Sequence, residues 1–219
     1  MLFIFDMGGV VTSTFDMQCI FSKLNTTKED FFSICHQNDD DIWLQLQKGT
    51  ISTGEFWDSF NRRVKALQRN LFDGILKIGK QVKFSQEVQI QNIPQVECDL
   101  FRIYFNPKII EQTVHLIELL KKKHRVVCGT NTIQSHWENH MERGDYTFFD
   151  KTYASNKINC IKPDPQFFQL ILEAENFSPE ETFFVDDRQE NCNAAQSLGI
   201  NVHLMTSPEE LYKSWKKFA

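Results

Sequence analysis

The chain opens on a continuous apolar run, Leu2-Phe3-Ile4-Phe5, halted by Asp6-Met7-Gly8-Gly9. A run with no polar alternation predicts a strand covered on both faces, as in a parallel sheet, and the glycines predict a turn at its end. A second run, Arg125-Val126-Val127-Cys128-Gly129, follows a stretch from Pro107 to Lys123 in which Ile109, Ile110, Val114, Ile117 and Leu120 recur at helical spacing. A third, Thr182-Phe183-Phe184-Val185, is stopped by Asp186-Asp187. Helices are predicted from Pro165 to Asn176 and from Glu190 to Leu198, the latter closed by Gly199, and a last short strand over Val202 to Met205. Helices alternating with apolar strands predict an α/β fold: a Rossmann-like parallel sheet core with helices on both faces, gathering ligands at the carboxyl ends of its strands.

Residues 13–104 have a different texture. Phe31, Phe32, Ile34, then Ile42, Trp43, Leu44, Leu46, then Phe56, Trp57, Phe60 and Val64 give amphipathic helical patterning, with Ser52-Thr53-Gly54-Glu55 as a helix start after Gly49. This predicts a helical cap, 13–104, inserted into a core made of 1–12 and 105–219. Between Asp73 and Glu97 the pattern weakens and assigns no element.

Composition narrows the function. With 219 residues, 41% of them apolar and 24% charged, the chain is a globular protein and neither a fibre nor a disordered segment. Its net charge of −5 repels a phosphate backbone, so nucleic acid is not an expected partner. No apolar stretch approaches the roughly 20 residues of a membrane span, and Asp6 ends the opening run too early for a signal peptide. No membrane association and a cytoplasmic location are therefore expected. The six cysteines are scattered without a CxxC pair, which predicts reduced, mostly buried thiols.

The candidate chemistry lies where the strands stop. Asp6 closes the first strand, Thr130-Asn131 the second and Asp186-Asp187 the third, with Lys162-Pro163 in a loop between the second and third. Carboxylates from separate strand ends can share a hard cation with a phosphate oxygen, and a lysine and a hydroxyl neutralise what remains of the phosphate charge. Glycine at positions 8 and 9 lets backbone N–H groups approach an anion.

Taken in order, Phe-Asp-Met-Gly-Gly-Val (5–10), Thr130-Asn131, Lys162-Pro163 and Val-Asp-Asp (185–187) resemble the four motifs of the haloacid-dehalogenase-like hydrolase superfamily, in its capped branch. Thr147-Phe148-Phe149-Asp150 with Ser155, and the stretch from Phe177 to Thr182, resemble the family's later motifs. The resemblance implies that Asp6 is the nucleophile that takes up a phosphoryl group, that Thr130 binds a phosphate oxygen with help from the Asn131 backbone or amide, and that Lys162 clamps nucleophile and phosphoryl group together. It implies a magnesium ion held by Asp6, the Gly8 carbonyl and Asp187, with Asp186 behind them and Asn191 orienting the acidic pair. The expected partner is a small phosphorylated metabolite such as a sugar phosphate. Oligomeric state is left open.

One position departs from the pattern. Phosphatases of this family usually carry a second aspartate two residues after the nucleophile, which protonates the leaving oxygen and later activates water, although some close phosphatase-like relatives have glycine there. Here that residue is Gly8. The dehalogenase members have an aromatic residue at this place, so Gly8 matches neither group fully. Two other readings stay open: a dehalogenase using Asp6 on carbon, and a catalytically weak pseudo-enzyme that binds a phosphorylated ligand or a protein. Elsewhere, His136 and His140 imitate a zinc helix but lack the glutamate that such a helix needs. Asp39-Asp40-Asp41 reads as a helix start, and Lys121-Lys122-Lys123 as cations at a helix C-terminus.

Overall fold

The structure, a computed structural model, describes residues 1–37, 39–77 and 90–215. Its strands in chain order are β1 (Leu2–Phe5), β2 (His36–Gln37), β3 (Asp40–Asp41), β4 (Arg125–Thr130), β5 (Lys151–Ala154), β6 (Thr182–Asp186) and β7 (Asn201–Leu204). Two compact units result: residues 1–15, 47–49 and 106–219 form one, and residues 16–46 and 50–105 the other.

The first unit is built on a parallel sheet ordered β5-β4-β1-β6-β7. β1 lies at its centre, with Phe5 opposite Cys128 on one side and Val185 on the other. Successive side chains of a strand point to opposite faces, so the apolar runs feed two cores at once. Phe3, Phe5, Val126, Cys128 and Phe183 pack with Val114, Ile117, Leu120 and Leu211 of the helices Glu111–Lys121 and Pro208–Trp215. Leu2, Ile4, Val127 and Phe184 pack with Phe167, Phe168, Ile171 and Ala195 of the helices Pro165–Glu175 and Gln189–Ser197. Chain order reverses at β1, and that switch point sets Asp6, Thr130 and Asp186 side by side at the carboxyl edge.

Two departures from the sequence reading concern this unit. The helix expected from Pro107 begins at Glu111, because Lys108 and Ile110 hydrogen-bond back to Ser13 and Val11 and hold that stretch extended. β5 was not expected at all: its outer residues Lys151 and Thr152 are exposed or half-exposed, as suits an edge strand, and it shows no apolar run.

At the amino end of the sheet, Arg125 and Tyr153 both hold Glu175, at 2.6 Å each. Burial favours the protonated form of Glu175, but these hydrogen bonds and the Arg125 charge outweigh it and keep the carboxyl below its ordinary value. The native state then binds fewer protons than the unfolded chain around pH 4. Its stabilisation is present above the ordinary glutamate pKa near 4.5 and is lost as pH falls through the lowered value. Glu175→Gln should cost about 1–2 kcal/mol at pH 7, and urea unfolding at pH 7 and pH 3.5 should show the gap to wild type closing in acid.

The second unit is helical, with Gln18–Lys23, Lys28–Cys35, most of Ile42–Lys48, Thr53–Lys77 and Leu100–Tyr104. Its core is aromatic: Phe31, Phe56, Phe60 and Phe101 are fully buried, and Trp57 stacks on Phe101 with ring centroids 4.7 Å apart. Ser52 and Glu55 exchange hydrogen bonds at the start of the long helix, the capping pattern expected from sequence. The acidic run reads partly differently: Asp40–Asp41 pair with His36–Gln37 as a hairpin, while the Asp41 carboxylate accepts the Leu44 N–H and caps the next helix. Arg63 pins that hairpin through the Asp40 carboxylate and the carbonyls of Ile34 and Cys35. Of the stretch with no assigned element, residues 78–89 lie outside the described residues.

No helix among the described residues is long and apolar enough to cross a membrane. All six cysteines are free, and Cys35, Cys128, Cys160 and Cys192 are buried.

Candidate active site

Lys162 is the centre of the site. Its side chain is fully buried, and its ammonium donates to Asp186 at 2.6 Å and lies 3.0 Å from Asp6. The rings of Phe184 and Phe167 lie beneath it at 5.4 and 6.0 Å. Burial alone would lower the lysine pKa, but the charges of Asp6 and Asp186 more than reverse this and hold it raised. Asp6 feels the opposite balance. Burial pushes its carboxyl up to about 6, with Asp186 adding to the rise and Lys162 opposing it. Asp6 therefore stays ionised at neutral pH in a site shielded from water.

Asp186 has both oxygens occupied. One accepts from Lys162 and the other from the Arg188 backbone N–H and the Asn191 amide, each at 2.9 Å. Asn191 thus orients Asp186; it makes no hydrogen bond to Asp187 among the described residues. Asp187 is half-buried, and burial together with the Asp186 charge raises its carboxyl pKa. One carboxylate oxygen from each of Asp6, Asp186 and Asp187 falls within 4.8 Å of the others. Three carboxylates against one ammonium leave an excess of negative charge, and an all-oxygen donor set suits a small hard cation. The Asn191 Oδ1 is buried with no donor among the described residues, an acceptor that the water of a hydrated cation would satisfy.

The remaining candidates divide. Thr130 ends β4, buried beside β1. Of the two routes expected for Asn131, the side-chain amide is taken: it donates to the Lys162 carbonyl and accepts the Lys162 N–H, both at 2.8 Å, which leaves the backbone route. The amide acts as a brace that fixes where the lysine starts, a side chain to backbone pairing across 31 residues that no local pattern displays. Gly9 also needs correction. Its N–H donates to the Thr12 carbonyl at 2.7 Å and is not available to an anion. The glycine is required instead because its φ is +78° and because any Cβ there would overlap the Asp187 carboxylate. Gly8 has open space on its side-chain side, with nothing within 4 Å of a Cβ.

His136 and His140 lie outside this cluster. His140 is buried and 2.8 Å from Asp145, so it is tied up within the fold. The Arg188 amide that helps hold Asp186 was missed, since a backbone donor leaves no trace in residue identity.

Residues 4–205 match the family model described as haloacid dehalogenase-like hydrolase. The chain belongs to that family. It is 28% identical to a HAD family enzyme of Bacteroides thetaiotaomicron solved in complex with magnesium and inorganic phosphate, with a TM-score of 0.61 over 92% of each chain. It is 35% identical over 175 residues, 79% of its length, to the drimenol cyclase of Aspergillus calidoustus, and spans 29% of that protein. Against the sesquiterpene phosphatase of Aspergillus oryzae it is 39% identical over 64 residues, 29% of this chain and 33% of the relative. The chain thus covers about a third or less of each of these curated relatives.

Proposed function

We propose that this chain is a magnesium-dependent phosphatase of a small phosphorylated metabolite. The observation that carries the reading is the buried Asp6–Lys162–Asp186 array with Asp187 beside it at the switch point of the sheet. In it, the ionised Asp6 attacks phosphorus, an acyl phosphate forms on Asp6, and the P–O bond to the substrate's alcohol breaks. Water then attacks phosphorus, releasing phosphate and restoring the carboxylate. Lys162 holds Asp6 in place and neutralises the transferring oxygens, with Thr130 as the neighbouring hydroxyl donor. Asp6, Asp187 and the Gly8 carbonyl would hold the magnesium ion, with Asp186 tying it to Lys162. When bound, the ion neutralises phosphate charge and helps align the transferring group. The inserted segment, 13–104, serves as the cap that selects the substrate.

The magnesium complex of the Bacteroides relative supports the cation, and the phosphatase relative supports the reaction. For the substrate, the absence of an acid at position 8 favours good leaving groups, as in acyl, aryl and anomeric sugar phosphates. A terpenyl phosphate is the second reading, favoured by the drimenol cyclase and sesquiterpene phosphatase matches. Phosphate release from p-nitrophenyl phosphate, glucose 1-phosphate, acetyl phosphate and farnesyl phosphate, with and without magnesium, tests both. Turnover that needs magnesium and disappears in Asp6→Asn supports the phosphatase. No turnover of any ester leaves the pseudo-enzyme, and release of halide from a 2-haloacid without magnesium would favour the dehalogenase.

The two adjacent acids should contribute unequally to metal binding. Asp186 is committed to Lys162, Arg188 and Asn191, whereas the Asp187 carboxylate bonds its own backbone and, among the described residues, no other side chain. In calorimetric titration with magnesium, Asp187→Asn should lose at least about tenfold more affinity than Asp186→Asn. Equal losses would overturn the assignment.

A further inference from the structure

Ser155 was singled out by the sequence and has no part in the chemistry above. The chain leaves the sheet unit at residue 15, returns to it for residues 47–49 alone, leaves again, and rejoins it at 106. Among the described residues, Ser155 and Asn156 meet that three-residue visit. The Ser155 hydroxyl, fully buried, lies 2.7 Å from the Gln47 carbonyl and 3.1 Å from the Thr132 carbonyl, to either of which it donates. The same oxygen accepts the Thr132 N–H at 2.9 Å. Two residues on, Gly49 has a φ of +69° and sits so close to the Asn156 backbone that a Cβ would overlap its carbonyl.

The other end of the link is the turn after β4. Thr132 directly follows Thr130 and Asn131, and Asn131 grips the backbone of Lys162. One hydroxyl therefore joins the visiting segment to the turn from which the lysine is braced. We propose that Ser155 is a positioning residue that couples the docking of Gln47–Gly49 to the geometry of the Thr130–Thr132 turn. While the segment is docked, the hydroxyl is shut away from water and its bond to the Thr132 amide has no competitor. When the segment lifts, water reaches that bond and the turn loosens. Leu46 and Thr50, on either side, belong to the second unit.

The functional part of this inference rests on the reading that the turn binds a phosphoryl group. The test uses the full chain and two variants that act at different points: Ser155→Ala removes the hydroxyl, and Gly49→Ala dislodges the segment without touching Ser155 or Thr132. Inorganic phosphate affinity in the presence of magnesium, kcat and KM for p-nitrophenyl phosphate, and amide exchange at Thr132 are measured for each variant and for the pair combined. Each single variant should weaken phosphate binding about threefold to tenfold, raise KM more than it lowers kcat, and speed exchange at Thr132. The combined variant should lose no more than the worse single one, because both cut one link. Losses that multiply, or single variants with unchanged phosphate affinity and unchanged exchange, overturn the coupling. If the wild type binds no phosphate, the phosphatase reading fails, and the exchange at Thr132 in Gly49→Ala still decides whether Ser155 transmits docking.

Discussion

Lys162→Met should destabilise the metal-free protein by about 3–5 kcal/mol, whereas Asp6→Asn should stabilise it, although on the proposed reaction both should abolish turnover. The lysine is fully buried between two carboxylates, and removing it leaves Asp6 and Asp186 facing each other with no compensating charge. Asp6 is the reverse case. Its carboxyl is pushed up to about 6 from an ordinary 3.8, so the fold disfavours its charge relative to water even with Lys162 alongside. A shift of about two units corresponds to a cost on the order of 3 kcal/mol at neutral pH, which a neutral asparagine avoids in part. The sign of the pH dependence follows. Between about pH 4 and 6 the native state holds a proton on Asp6 that the unfolded chain has released, so this residue's contribution falls as pH rises through that window. Urea unfolding in EDTA from pH 4 to 8 should show Asp6→Asn gaining on wild type over that range and levelling off above it. A wild type that is as stable as Asp6→Asn at pH 8 would mean that Lys162 fully compensates both acids. Added magnesium should reverse the ranking, since the ion favours the ionised carboxylate.

This opposition explains why the site was legible in the sequence while its wiring was not. A carboxylate at the end of a strand buried on both faces stands out, because nothing about packing asks for Asp6 after Leu2-Phe3-Ile4-Phe5. The same contrast exposed Asp186 after Thr182-Phe183-Phe184-Val185, and the central strands with it. What stayed hidden depends on partners remote in the chain. Edge strand β5 is exposed along half its length and has no periodic signal. The extended stretch before Glu111 exists because Val11 and Ser13 lie beside it. The Asn131 side-chain amide looks like a phosphate ligand next to Thr130, and only its pairing with Lys162, 31 residues on, shows that amide to be a brace. Gly9 looks like an anion-binding glycine, yet its amide closes a turn and its missing side chain makes room for Asp187.

Gly8→Asp should raise turnover of poor leaving groups by about 10²–10⁴-fold, the usual worth of a positioned general acid–base. The structure accommodates the change. A Cβ at position 8 meets nothing within 4 Å, and Gly8 is absent from the positions with left-handed backbone, which among the described glycines are Gly9, Gly49, Gly144 and Gly199. In the proposed reaction, with no acid at this place, the substrate's oxygen must leave as an alkoxide or take its proton from water. Rates should then fall steeply as the leaving-group pKa rises, with acyl, aryl and anomeric phosphates well ahead of primary-alcohol esters. Hydrolysis of the acyl phosphate on Asp6 lacks its base as well, so good substrates should show a burst of alcohol release followed by slow phosphate release. Gly8→Asp should flatten the leaving-group dependence and remove the burst. Farnesyl phosphate, a primary-alcohol ester, separates the two substrate readings: if the wild type turns it over as fast as p-nitrophenyl phosphate, without a burst, then another group supplies the proton and position 8 does not set the substrate. If it is slow in the wild type and rescued by Gly8→Asp, the glycine itself is the filter, admitting only phosphates whose leaving oxygen needs no help.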